Sequence, residues 1–76
     1  MAKIIFEGWD IGMRKIPFTL LLKEKGGISL SEAKEMEIRL LNNELIELEV
    51  ADDDLALEIL NEAKKLKVKC RIEPHH

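Results

Sequence analysis

The side chains that most often carry out enzyme chemistry are scarce in this sequence. Its 76 residues include no Tyr, one Cys and two His, and the histidines, His75 and His76, are the last two residues. Catalysis requires a nucleophile, an acid or a base to converge with its partners on one site, and no such set can be recognised here. We therefore expect no catalytic residues, no cofactor and no bound metal, and a binding function rather than an enzyme.

Three features invite a chemical interpretation beside a structural one. The acidic residues 52–54 lack the ligand spacing of a calcium loop, and stabilising a helix N-terminus explains them fully. Cys70 lies on the apolar phase of a predicted strand, which favours a buried, unreactive thiol. His75 and His76 are adjacent and would form only a weak metal site without other ligands.

Two groups of residues suggest contact with a partner. The first is a cluster of basic residues, whose charge is complementary to an acidic protein and would accelerate association with it. A basic cluster is also typical of a solvated helix face. Trp9, between Gly8 and Gly12, has a large apolar area with a polar tip and suits a binding anchor, or it covers one end of the core. The basic cluster consists of Arg14, Lys15, Lys23, Lys25 and Lys34.

Composition excludes several classes of protein. A hydrophobic content of 46% is too high for a disordered chain, and a net charge of −3 argues against nonspecific nucleic-acid binding. The single cysteine and the lack of a long apolar segment predict a cytoplasmic protein with neither nucleic acid nor membrane among its partners. The charge is uneven, because residues 1–25 carry five basic and three acidic side chains, against seven and twelve in residues 26–76.

Apolar spacing and turn residues divide the chain into six elements. Ser29, followed three residues later by Glu32, is typical of a capped helix start, and Gly26 and Gly27 are expected to end the preceding helix. The predicted order is a strand over 2–6, a helix from Arg14 or Lys15 to Lys25, a helix over 30–41, a strand over 44–50, a helix from 52–54 to Leu66, and a strand over 67–72.

This order predicts an α+β fold with the sequence β-α-α-β-α-β and a single domain, residues 1–76. Three amphipathic helices would cover one face of a small three-stranded sheet in a two-layer sandwich. Glu47 and Glu49 alternate outward in one strand, as Lys67, Lys69 and Arg71 do in the last, so these two strands are expected to pair. The predicted apolar helix faces comprise Ile16, Leu20, Leu21 and Leu22, then Leu30, Ala33, Met36 and Leu40 or Leu41.

Residues 14–73 resemble the C-terminal domain of the bacterial large-subunit ribosomal stalk protein. Arg14-Lys15-Ile16 opens the first helix as in that family, and residues 27–34, GISLSEAK, are similar to its glycine, apolar, glycine, Leu-x-Glu-Ala-Lys turn. The resemblance implies the same fold and a non-enzymatic role, because the family's domain recruits translational GTPases through its first two helices. Carried over by position, that surface comprises Lys15, Ile16, Thr19, Lys23, Glu32 and Lys34.

The chain departs from the stalk family at three positions and in its extent. Pro17, Leu20 and Ser29 differ from the family's pattern. The sequence also carries neither the dimerising helices nor the flexible hinge of the complete stalk protein. The resemblance therefore predicts a free-standing relative of the factor-recruiting head, with its oligomeric state open.

The element order is also similar to that of the ClpS-type adaptor, which presents destabilising N-terminal residues to a AAA+ protease. The adaptor's pocket uses an Asn-Asp-Asp type turn after the first strand and a histidine of the second helix. Here the corresponding turn, residues 7–12, reads EGWDIG, in which only Asp10 could stand in for the adaptor's acidic residues, and no histidine precedes His75. An adaptor function with a site at Trp9 and Asp10 is the alternative hypothesis.

Overall fold

The computed structural model describes residues 2–73, which form an α+β fold with the predicted element order β-α-α-β-α-β. The three helices pack on one side of a three-stranded antiparallel sheet. Element lengths and order are confirmed to within a few residues. The elements are β1 (Ala2–Trp9), α1 (Lys15–Glu24), α2 (Leu30–Leu41), β2 (Ile46–Val50), α3 (Asp53–Lys65) and β3 (Val68–Glu73).

The strand order differs from the prediction. β1 lies between β2 and β3 and is antiparallel to both, so the expected pairing of the last two strands is wrong. Their outward charges instead meet residues of β1, with 3.6 Å between Glu47 Oε2 and Lys3 Nζ and 3.2 Å between Arg71 Nε and Glu7 Oε2. The alternation of apolar and charged residues identified the outward-facing residues correctly. The charges did not determine the neighbouring strand, because they are complementary to more than one strand.

β1 is longer than predicted because it contains a bulge. The strand continues to Trp9, whereas the sequence suggested an end at Phe6. Phe6 lies opposite Cys70 and Gly8 opposite Lys69, which leaves Glu7 as an additional residue in β1. Glycine is tolerated inside a strand at such a bulge, so Gly8 did not mark the strand's end. Trp9 therefore ends a strand and does not lie in a loop.

The core fills the space between the sheet and the helices. Phe6 of β1 and Phe18 of α1 are fully buried, and their rings meet edge to face with centroids 5.3 Å apart. Leu22 of α1 is also fully buried, whereas Ile16 and Leu20 are 75% and 42% exposed. The predicted apolar face of the first helix is therefore correct for Leu21 and Leu22 only, and in α2 Leu30 is likewise exposed, while Ala33 and Leu40 are buried.

The predicted helix boundaries rest on identifiable hydrogen bonds. Ser29 Oγ accepts from the Glu32 backbone N–H at 3.1 Å, and Asp52 Oδ1 accepts from the Leu55 N–H at 2.7 Å, so both predicted caps are confirmed. At the end of α1, Gly27 adopts a positive φ of 72°, the left-handed conformation that glycine favours. Over residues 2–73, no helix is both long enough and apolar enough to cross a bilayer.

Candidate functional site

A groove of about 480 Å³ runs between α1 and α2. Four of the six residues suggested by the stalk resemblance line it, namely Lys15, Ile16, Thr19 and Lys34, whereas Lys23 and Glu32 do not. The structure thus brings together most of a surface predicted from two separated sequence segments. The full lining is Lys15, Ile16, Thr19, Leu20, Leu30, Lys34, Glu37 and Ile38.

The groove is apolar because each helix carries a second row of apolar residues outside the core. On α1, Phe18 and Leu22 face the sheet, which leaves Ile16 and Leu20, four residues apart, on the groove side. On α2, Leu30, Lys34 and Ile38 follow one another at intervals of four residues and therefore lie on one side of the helix. Leu30 and Ile38 are both exposed. Pro17 does not disturb this surface, since it lies in the first turn of α1, where backbone donors lack intrahelical acceptors.

Thr19 connects the two helices at the base of the groove. Its side chain is buried, and its hydroxyl has two acceptors within reach, the Lys15 carbonyl oxygen at 3.1 Å and the Glu37 carboxylate on α2. The bond to Glu37 joins α1 to α2 and occupies one carboxylate oxygen of the acidic side chain in the lining. Thr19 is thus a positioning residue for the groove rather than an exposed contact.

The edge of the groove is basic. Within residues 2–73, Lys15 and Lys34 form no ion pair, so both ammonium groups remain available to a bound molecule. Lys25 differs, because its Nζ donates to the Glu58 carboxylate of α3, which raises the pKa of Lys25 above its ordinary value of 10.5. Lys25 is therefore engaged within the molecule, and the predicted basic cluster divides into free and paired members.

The alternative site at Trp9 and Asp10 has different electrostatics. The Asp10 carboxylate lies 3.4 Å from the Lys69 ammonium, and a depression beside it is also lined by Lys64 and Lys67. These positive charges oppose binding of an α-ammonium group, which is the group an adaptor must recognise. Trp9 is 37% exposed and lies opposite Val68 at the end of the sheet.

The remaining candidates have structural roles where the structure describes them. Burial raises the pKa of the Cys70 thiol to about 11, against a smaller opposing effect of Lys64, so the neutral thiol dominates at physiological pH. Asp52 caps α3, and Asp53 lies in its first turn. The part of the chain from residue 2 to 73 contains no group of three His, Cys, Asp or Glu side chains placed to hold a metal ion. His75 and His76 lie outside the described residues.

Sequence reasoning missed four residues of the groove: Leu20 as an exposed contact, Leu30, Glu37 and Ile38. A signal for the apolar ones is present in the spacing. Ile16 with Leu20, and Leu30 with Ile38, repeat at multiples of four residues and form rows separate from those containing Phe18 and Ala33. Two separate apolar rows on one helix predict one face that is buried in the core and a second apolar face that is exposed.

Comparison of the chain with protein-family models, with curated proteins and with solved structures finds no match.

Proposed function

We propose that this protein is a non-enzymatic interaction module that docks a partner protein in the α1–α2 groove. The observation that carries the proposal is the meeting of Ile16, Leu20, Leu30 and Ile38 in one open groove. Exposed apolar surfaces of this kind, bordered by polar residues, are typical of interaction sites. The module acts by binding alone, and no covalent step is involved.

The chemistry of the groove favours an acidic amphipathic segment as its ligand. A volume of about 480 Å³ accommodates a few apolar side chains from one face of a helix or an extended segment. Lys15 and Lys34 at the edge complement carboxylates that flank those side chains, which increases the association rate and fixes orientation. Glu37 also lines the groove, but the two lysines outnumber this single acidic side chain, so the charged lining is basic on balance.

A translational GTPase is the candidate partner that we propose to test first. The support comes from the stalk resemblance, whose two segments, residues 14–16 and 27–34, both contribute to the groove through Lys15, Ile16, Leu30 and Lys34. The resemblance and the groove thus point to the same pair of helices, although one rests on sequence and the other on geometry.

Titration of ¹⁵N-labelled protein with purified translational GTPases tests this proposal. We expect saturable shifts in the amides of Lys15, Ile16, Lys34 and Ile38. Ile16→Ser should weaken binding about tenfold, because a central apolar contact is lost, and Lys34→Gln about twofold, mainly through the association rate. Leu57→Ser is the matched control, since Leu57 is 50% exposed on α3 outside the groove.

Two outcomes would contradict the proposal. Absence of saturable shifts with every GTPase tested would remove the assignment to translation. Shifts that cluster away from α1 and α2, or equal losses for Ile16→Ser and Leu57→Ser, would remove the groove as the docking site.

A further inference from the structure

The turn between β1 and α1 presents an apolar side chain to solvent in a defined position. Ile11 is 95% exposed at the apex of a turn closed by a 3.1 Å bond from the Met13 N–H to the Asp10 carbonyl oxygen. Gly12 provides the positive φ of 93° that the turn requires. A large β-branched residue is unusual at such an apex, where small polar residues predominate.

Two backbone hydrogen bonds connect the residues flanking this apex to the turn between α3 and β3. The Asp10 N–H donates to the Lys67 carbonyl oxygen at 2.9 Å, and the Arg14 N–H donates to the Leu66 carbonyl oxygen at 3.1 Å. Ile11 is therefore displayed by a fixed frame, with Trp9 at the end of the adjoining strand. We call Trp9, Ile11 and the turn that carries them the apolar tip.

Unpaired cations surround the apolar tip. Arg14 and Lys67 belong to the two segments joined by those backbone bonds, and Lys64 lines the depression beside Asp10 and Lys67. None of these three cations forms an ion pair within residues 2–73.

Two of the acidic groups at this end of the molecule are already paired, whereas Glu44, which precedes β2 at the same end of the sheet, forms no ion pair within residues 2–73. Asp10 lies 3.4 Å from Lys69, and the Glu7 carboxylate lies 3.2 Å from Arg71. Each of these contacts places an acidic charge beside a basic one, and the three unpaired cations outnumber the unpaired Glu44 carboxylate, so this end carries more positive than negative charge. The net charge of −3 for the whole chain conceals this local excess.

The acidic part of the molecule lies at the opposite end. β1 begins at Ala2, opposite Val50, and the acidic residues 52–54 follow closely after that position. Eight strand residues separate the two ends by roughly 23 Å, which exceeds the screening length of ~8 Å at physiological salt. The acidic end therefore adds little repulsion when the basic end approaches an anionic surface.

We infer that the apolar tip and its three cations bind the surface of an anionic lipid bilayer. Ile11 and Trp9 enter the interface between headgroups and acyl chains, where an indole is favoured. Arg14, Lys64 and Lys67 contact the anionic headgroups. The mode is peripheral and involves no spanning segment.

A bilayer fits these observations better than a protein groove does. Ile11 projects into solvent, and the cations lie on two separate segments beside it, which suits a broad anionic surface more than a narrow cleft. The expectation that no membrane is a partner rested on average charge and on the lack of a long apolar segment. Neither property reports where Ile11 and the unpaired cations lie in three dimensions.

The chain contains its own reporter for a test. Trp9 is its only Trp and the chain has no Tyr, so fluorescence excited near 295 nm comes from the tip. We expect its emission to shift to shorter wavelength, and the protein to sediment, with vesicles of phosphatidylcholine and phosphatidylserine but not with phosphatidylcholine alone. Raised salt should reverse the binding.

Substitutions separate the tip from the rest of the surface. Ile11→Asn should lower the apparent partition coefficient about tenfold, and Lys64→Gln with Lys67→Asn about 25-fold together, at about fivefold for each cation. Asn suits position 67 because Lys67 has a positive φ of 69°. Controls are Leu57→Asn, an exposed apolar residue of α3 outside the tip, and Lys23→Gln, a cation of α1 outside the tip that forms no ion pair within residues 2–73.

Each result decides the inference. Phosphatidylserine-dependent binding that the tip variants lose and the controls keep supports it. No vesicle binding at low salt overturns it, as does equal loss in control and tip variants. Binding of polyglutamate without vesicle binding also overturns it, and would indicate an acidic polypeptide as the ligand of this end. The far-ultraviolet circular dichroism of every variant should match that of the parent protein.

Discussion

Gly26 provides the sharpest test of how α1 packs against the sheet. A Cβ at this position would lie 2.3 Å from the Leu22 carbonyl oxygen and 3.0 Å from Leu48 Cδ2 of β2. Real Cβ contacts essentially never fall below 3.0 Å, so the backbone would have to move by about 0.7 Å. Because a carbonyl of the last helical turn cannot move alone, Gly26→Ala should distort the C-terminal turn of α1.

The expected cost follows from the kind of contact involved. Overpacking against backbone costs about 1–3 kcal/mol, and we expect Gly26→Ala at the upper end, about 2–3 kcal/mol. For a domain of this size, 1 kcal/mol corresponds to roughly 4–8 °C in Tm. The Tm should therefore fall by roughly 8–24 °C. The loss of about 2–3 kcal/mol is a large part of the total free energy of unfolding, which is expected to be ~4–11 kcal/mol for 76 residues. Urea and thermal unfolding, followed by far-ultraviolet circular dichroism, measure both quantities.

Neighbouring glycines serve as matched controls. A Cβ added at Gly27 or Gly12 would meet open space, but these residues have positive φ values of 72° and 93°. Alanine there costs about 1–2 kcal/mol in backbone conformation, partly offset by ~0.4–1 kcal/mol from a less flexible unfolded chain. Gly26→Ala must therefore be the most destabilising of the three. If it unfolds at the same urea concentration as Gly27→Ala, or higher, the close approach of Gly26 to Leu22 is refuted.

Three further predictions concern a cap, a thiol and an ion pair. Asp52→Ala should lower the free energy of unfolding by about 1 kcal/mol, since it removes the acceptor for the Leu55 N–H; urea unfolding measures this. Cys70, with its pKa raised to about 11, should react with iodoacetamide at pH 8 about a hundredfold more slowly in the folded protein than in urea. Glu58→Gln should return the raised pKa of Lys25 toward 10.5 in an NMR titration. A lysine whose pKa is raised on folding contributes its full stabilisation below pH 10.5, where it is protonated in both the folded and the unfolded chain. That contribution is lost as the pH rises through the pKa of the folded state, so the difference in unfolding free energy between parent and variant should shrink above pH 10.5.

Matched measurements can contradict each of these expectations. Asp52→Ser retains a side-chain acceptor, so a loss as large as that of Asp52→Ala would show that the cap is not the cause. Equal alkylation rates in water and urea would show that Cys70 is not shielded. An unchanged Lys25 pKa in Glu58→Gln would show that another group raises it.

The local elements could be predicted from sequence because their causes are local. Ser29 with Glu32, and Asp52 before an apolar row, mark helix starts through bonds that span three residues. Alternation in β2 and β3 correctly separated buried from exposed positions. Lys15, Ile16 and Lys34 were proposed together as surface residues from the stalk resemblance and not from local pattern, which placed Ile16 on the core face; neither source included Leu30 and Ile38 in the groove.

Sequence alone determined the kinds, order and approximate limits of the elements, since capping and periodicity act within a few residues. Only the tertiary structure decided which strand lies in the middle, because Glu47 is complementary both to Lys3 and to the basic residues of β3. Tertiary packing also decided that Ile16 is exposed, because Phe18 and Leu22 occupy the core instead. The collection of Arg14, Lys64 and Lys67 around Ile11 likewise depends on backbone bonds between segments about fifty residues apart, a distance over which local patterns carry no information.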